Sequence, residues 1–192
     1  MNITERQIQI LENLAKYKYL TIKQISTIFG IKTSGNISIL IMQLRTARKP
    51  LVEFKAFGII PVYGRLSRVF FLTEHGKNLL VNELGNEEGK VKFVKNKNAM
   101  FYRDYFHRIE TVNFNIKFQT WIDINDYKLE FFNYYFDSIG SNRNKTGEFL
   151  TTLEKGDIKI KPDGIGYFRS KEKEHLFAFE HHNGKDKKRA VE

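Results

Sequence analysis

Thr21-Ile-Lys-Gln-Ile-Ser-Thr-Ile-Phe-Gly30, a short break, Asn36-Ile-Ser-Ile-Leu-Ile-Met-Gln-Leu-Arg-Thr-Ala47, and then an apolar segment from Leu51 to Leu72 decide the fold of this 192-residue chain. Thr21 and Gln24 form a capping box, and Ile22, Ile25, Ile28 and Phe29 recur at helical spacing before Gly30 stops the run. Ile37, Leu40, Ile41 and Leu44 fall at i, i+3, i+4 and i+7, which predicts a second amphipathic helix with Thr33, Ser34 or Asn36 available as its cap. Leu51 to Phe57 and Arg68 to Leu72 read as strands, and Gly58, Pro61 and Gly64 break the segment between them into a projecting turn.

Upstream, Thr4-Glu-Arg-Gln7 is another capping box, followed by Ile8, Ile10, Leu11, Leu14 and Ala15 as the apolar stripe of a helix ending near Lys16. Downstream, Phe71-Leu-Thr-Glu-His-Gly76 leads into a fourth helix through about Leu84, with Thr73 at its N-cap. An apolar run entering Leu-Thr-x-x-Gly is a recurrent ending of bacterial winged helices. A supporting helix, two short helices around a glycine turn and a β-hairpin predict a winged helix-turn-helix over residues 1–84, and with it double-stranded DNA as the partner.

Composition narrows the alternatives. The chain is 41% hydrophobic and 14% aromatic, enough for packed cores, and it has no cysteine, so disulfides, thiolate zinc sites and a cysteine nucleophile are excluded. Met1-Asn-Ile-Thr opens directly into a helix, and no run approaches the roughly 20 apolar residues that span a bilayer, so a soluble cytoplasmic protein with no membrane partner is expected. The net charge of +10 is uneven: residues 1–84 hold 12 Lys and Arg against 5 Asp and Glu, whereas residues 99–192 hold 16 against 15. Basic excess on the helix-turn-helix half fits a phosphate-binding surface; a generic solubilising charge is the alternative.

At about 100° per residue, the outer side of the third helix carries Gly35, Ile39, Met42 and Thr46, flanked by Asn36 and Gln43. Asn and Gln pair with adenine edges and apolar side chains meet thymine methyls, so Asn36 and Gln43 are the expected base readers. Lys32, Thr33 and Ser34 at the helix start, with Arg45 and Arg48, are expected to hold phosphates. Lys55, Arg65 and Arg68 place charge on or near the wing, where it can track the backbone or the adjacent minor groove. Ile39 and Met42 leave a second reading open, in which they bury in a homodimer contact or against a neighbouring domain. A transcriptional regulator or a protein-interaction module would use the surface in that way.

Residues 85–98 are polar and glycine-bearing and read as a linker to a second domain, residues 99–192. There Met100 to about Asp123 has helical spacing, with Phe101, Tyr105, Phe106, Ile109, Val112, Ile116 and Trp121 among its apolar positions. Tyr127 to Phe136, Asp157 to Phe168 and His175 to His182 read as strands, and Ser138 to Thr146 as a loop. The predicted class is α+β overall, with a small α/β or α+β second half.

Lys161-Pro-Asp-Gly164 is followed by Phe177-Ala-Phe-Glu-His-His182, whose Glu180 lies seventeen residues beyond Asp163. Alternation puts Glu180 and His182 on one face with Leu176 and Ala178, and His181 with Phe177 and Phe179. Two carboxylates at strand ends beside a nitrogen base suit a hard divalent cation, Mg²⁺ or Mn²⁺, in phosphodiester hydrolysis. Asp163 and Glu180 are therefore the candidate metal ligands, and with His182 the candidate catalytic set; DNA binding itself requires no cofactor. His107 and Glu110, one helical turn apart, can face this cluster, with hydrogen bonding favoured over metal ligation. Gly164-x-Gly166 is too short to signal nucleotide binding.

The second half resembles the core of the PD-(D/E)xK nuclease superfamily, with Pro162-Asp163 and Glu180 matching and His182 standing where that superfamily places lysine. The chain stops at Glu192, where the next helix of such a core would begin, so the resemblance implies a degenerate or truncated version. The whole arrangement is similar to the replication-relaxation family of plasmid and mobile-element proteins, grouped with MobC-type mobilisation proteins. The similarity runs through Leu72-Thr73-x-x-Gly76, Phe106-His107-Arg108, Lys161-Pro162-Asp163-Gly164 and Phe179-Glu180. It implies a DNA-binding accessory protein in plasmid replication or transfer, working beside relaxase or replication proteins; a metal-dependent DNA endonuclease is the alternative it leaves.

Overall fold

Two threonines fix the first two helices. Thr4 and Thr21 are extended, each accepts the backbone N–H three residues on, and Gln7 or Gln24 reaches back to the threonine's own N–H. The computed structural model describes residues 3–94, 104–139 and 148–181. They form two compact units, Met1–Tyr105 and Phe106–Glu192.

In the first unit, α1 (Glu5–Tyr17) buries Ile10, Leu11, Leu14 and Ala15. A short β1 (Leu20–Thr21) leads into α2 (Ile22–Ile28), where Ile25 alone of the expected apolar four is fully buried; Ile22, Ile28 and Phe29 are half-buried. Gly30, at φ +64°, takes the left-handed conformation that ends the helix. The following α3 (Gly35–Thr46) turns Ile37, Ile41 and Leu44 inward, with Leu40 half-buried. Its N-cap position is Ser34, in a helical conformation without a side-chain cap, so the expected capping by Thr33, Ser34 or Asn36 is not made.

The apolar segment builds an antiparallel sheet in the order β1-β5-β2, with β5 (Val69–Leu72) central and wholly buried and β2 (Val52–Lys55) beside it. Between them project β3 (Ile59–Ile60) and β4 (Gly64–Arg65), paired as a hairpin of their own. Thr73 caps α4 (Glu74–Asn78), which continues as a π-helical turn, Leu79–Glu83. The Leu-Thr-x-x-Gly pattern has a steric reason: a Cβ on Gly76 would lie 2.2 Å from the Leu51 carbonyl oxygen, so only glycine lets α4 seat against the start of β2. The first ten residues of the expected linker do not behave as one. Val91 and Val94 are buried and the Lys92 N–H donates to the Ala15 carbonyl at 2.9 Å. Residues 95–98 lie outside the described residues.

The second unit sets α5 (Tyr105–Ile124) on one face of an antiparallel sheet in the order β12-β11-β6, formed by Glu174–Phe179, Gly164–Arg169 and Lys128–Tyr134. Its core is aromatic: Phe114 stacks on Phe179 at 3.9 Å between centroids, and Phe118 meets Phe177 edge-on. Of the apolar positions on this helix, Phe106 is 40% exposed and Trp121 44%, although Trp121 also meets Phe118, Tyr127 and Phe168, and Phe101 lies outside the described residues. The expected strand from Asp157 to Phe168 is broken. Ile158–Ile160 (β10) pairs with Leu153–Lys155 (β9) in a separate ribbon, because Pro162, lacking an N–H, ends the ladder before β11. The expected loop after Ser138 begins with a short pairing of β7 (Ser138–Ile139) with β8 (Glu148–Phe149). All pairings among the described residues are antiparallel and kept apart from the helices, which makes the class α+β. No helix among them is long and apolar enough to cross a membrane.

Candidate nucleic-acid interface

The outer side of α3 is open. Gly35, Asn36, Ile39, Met42, Gln43 and Thr46 are all exposed, and the helix contains no acidic residue. Lys32, Thr33 and Ser34 are exposed just ahead of it. Ser34 makes no side-chain cap, and a helix start beside an exposed lysine, Lys32, favours anions.

Arg45 in the last turn of α3 and Arg68 ahead of β5 share one platform. The Arg45 guanidinium carbon lies 4.2 Å from the Phe54 ring centroid and that of Arg68 lies 4.7 Å from it. Phe54 belongs to β2, opposite Phe70. Three elements distant in sequence thus hold two permanent cations close together with their forks oriented. Arg65 is exposed on β4 and Lys55 half-buried at the end of β2, while Arg48 lies past the end of α3 beside a cavity of about 610 Å³ shared with Lys49, His75 and Asn82. Among the described residues none of Lys32, Arg45, Arg48, Lys49, Lys55, Arg65 and Arg68 pairs with a carboxylate.

Gln43 stands apart from the other expected readers. Its Oε1 accepts from Gln7 Nε2 at 2.9 Å, and Gln7 is itself held by the Thr4 capping box. A bidentate contact with adenine needs the amide oxygen and nitrogen together, so Gln43 serves the packing of α3 on α1. Asn36 has no such tether.

In the second unit, Asp163 is buried at the start of β11. One of its carboxylate oxygens meets His107 Nε2 at 2.7 Å and the other accepts the His181 N–H at 2.6 Å. Glu180 Oε2 accepts the Asp163 N–H at 3.3 Å, and the His107 and His181 rings meet edge-on at 5.6 Å. His181 faces α5 with Phe177 and Phe179, as alternation requires, whereas Glu110 is exposed and holds Asn113 instead. His182 lies outside the described residues. Among the described residues both Asp163 oxygens already meet nitrogen groups, and no group of three or more His, Asp and Glu is gathered that could hold a metal. The carboxylate instead ties α5 to the ends of β11 and β12. Gly164 and Gly166 have a packing role, since a Cβ on either would lie 2.7 Å from the Phe132 ring or 2.4 Å from the Phe177 ring.

Phe54 is the participant that residue patterns did not single out, whereas alternation already placed His181 with Phe177 and Phe179. Alternation within Val52–Lys55 puts Phe54 on the Val52 side, and that was the available signal. No family model matches the chain, and neither a curated protein nor a solved structure is detectably similar to it.

Proposed function

We propose that the first unit is a winged helix-turn-helix that binds double-stranded DNA, with α3 in the major groove and the β3–β4 hairpin as its wing. One observation carries this reading: the outer side of α3 is exposed and bears no acidic residue, and beside it Arg45 and Arg68 are both held on the Phe54 ring with no carboxylate partner among the described residues. Cations left unpaired on one face, two of them pre-oriented on Phe54, suit a polyanion supplied from outside. Asn36 is the base reader, Ile39 and Met42 the apolar contacts, and Lys32, Arg45, Arg65 and Arg68 the phosphate grip.

The resemblance to replication-relaxation proteins supports assigning this binding to plasmid or mobile-element replication or mobilisation. The PD-(D/E)xK-like reading of the second unit is kept as a fold relationship with Asp163 in a structural role. Fluorescence anisotropy of labelled duplex against protein, repeated over a salt series, tests the proposal. Log affinity is expected to fall linearly with log salt, by about 0.9 per phosphate neutralised. Affinity indifferent to salt, or no binding to duplexes drawn from a random pool, refutes it.

A further inference from the structure

The wing tip is built as a rigid apolar knob. Ile60 to Tyr63 form a turn closed by the Tyr63 N–H on the Ile60 carbonyl at 3.0 Å, and Ile60 pairs with Gly64, whose φ is +69°. Pro61 holds the second turn position at the φ the turn needs, and Gly64 supplies the left-handed step that returns the chain to β4. At the root, the Leu66 N–H donates to the Gly58 carbonyl at 3.1 Å, over buried Phe57 and Leu66. What this frame presents is Val62, 85% exposed, with Ile59 at 71% beside it. Val62 is the most exposed large apolar side chain among the described residues.

Nothing in the fold requires valine there. A solvated turn favours Asp, Asn, Ser or Gly at that position, and at 85% exposure a β-branched residue buries little of its surface within the fold. It is therefore open to a partner outside the chain. Exposed Arg65 follows three residues on and Arg68 flanks the root, both without a carboxylate partner among the described residues, so the knob is flanked by positive charge. Apolar side chains wedged between base steps from the minor groove, flanked by arginine, unstack the step and kink the duplex.

From this we infer that Val62 is a wedge that enters a flexible pyrimidine–purine step from the minor groove, so that the protein bends the DNA it binds and prefers duplexes containing TA steps. The inference rests on the duplex-binding reading above. TA steps are favoured because they unstack most easily.

The test uses the full chain and a short alternating TA duplex carrying 2-aminopurine in place of some adenines, with dyes at its ends for energy transfer. Wild-type protein is expected to raise 2-aminopurine emission, which reports unstacking, and to shorten the end-to-end distance. Val62→Ser, at a position too exposed to affect folding, is expected to bind about ten-fold more weakly with the same salt slope and to leave the bases stacked. Val62→Leu is expected to behave as wild type. A duplex with a mismatch, already unstacked, is expected to recover most of the loss in Val62→Ser. Salt-dependent binding by wild type with no rise in emission, or unstacking by Val62→Ser equal to wild type, overturns the wedge while leaving duplex binding intact. A wild-type dimer in the absence of DNA that dissociates in Val62→Ser also overturns it, since the knob would then seat on a second copy. Failure of wild type to bind any duplex removes both readings together.

Discussion

Replacing Phe54 with leucine separates the number of positive charges at the interface from their placement. Phe54→Leu leaves Arg45 and Arg68 in the chain but removes the ring on which both guanidiniums rest, at 4.2 and 4.7 Å. Each stack contributes about 0.5–1 kcal/mol at a partly exposed site, so the fold should lose about 1–2 kcal/mol. The larger effect falls on binding. Two released arginines must be immobilised again on the phosphates, at about 0.5–1.5 kcal/mol each, which predicts duplex affinity lower by about 5- to 150-fold. The salt slope distinguishes two ways of losing that affinity. If the arginines still reach their phosphates the slope is unchanged; if they do not, it falls by up to about 1.8, the value expected for the Arg45→Ala, Arg68→Ala double variant. Anisotropy over a salt series measures both quantities, and Phe54→Tyr, which restores a ring, should bind as wild type. Affinity for Phe54→Leu within two-fold of wild type, alongside strong weakening in the double arginine variant, would refute the positioning role and leave only a count of charges.

Gly76→Ala drives a methyl group to 2.2 Å from the Leu51 carbonyl oxygen, and either α4 or the start of β2 must shift. About 1–3 kcal/mol of stability and about 5–20 °C in Tm should be lost, read by circular dichroism; an unchanged melt would show that α4 is not clamped there. Asp163→Ala leaves His107 and the His181 N–H without their acceptor and should lower stability by about 2–4 kcal/mol in urea. Mg²⁺- or Mn²⁺-dependent nicking of supercoiled DNA by wild type, abolished in this variant, would overturn the structural assignment of Asp163. In selections from random duplexes, Asn36→Ala should relax preference at one base pair by about 1–3 kcal/mol, whereas Gln43→Ala should barely alter it. Equal relaxation by both would return Gln43 to the groove despite its bond to Gln7.

Features decided by neighbouring residues were the most legible in the sequence. The boxes at Thr4 and Thr21, the stop at Gly30 and the cap at Thr73 involve groups within four residues of one another, and each forms where the spacing predicts. Val91 and Val94 are hidden because six polar or glycine residues, Gly85 to Lys90, precede them, and composition averaged over that window masks a pair of apolar side chains three apart. The break at Pro162 was open to prediction from its missing N–H, but the alternation on either side of it suggested one strand. Contacts joining three elements lay out of reach. Arg45, Phe54 and Arg68 meet only once α3, β2 and the root of β5 are packed, and no local pattern encodes that meeting.

The Asp163 cluster shows why the candidate site was half legible. Alternation correctly sends His181 toward α5 and Glu180 away from it, yet Glu180 still reaches the Asp163 N–H, because a strand end lacks the next ladder rung and a long side chain can fill it. Pattern rules assign faces; they do not follow a flexible side chain around a strand terminus. The same limit bears on the outer side of α3 and the β3–β4 hairpin in the opposite direction. Lys32, Arg65 and Arg68 were found from charge alone, and what the structure adds is that no carboxylate among the described residues answers them. Where a carboxylate is near, it is used: Glu130 meets both Lys128 and Arg169. Exposed ion pairs contribute only about 0–1 kcal/mol to stability, so leaving the α3 and wing cations unpaired costs the fold little and keeps them available to phosphates.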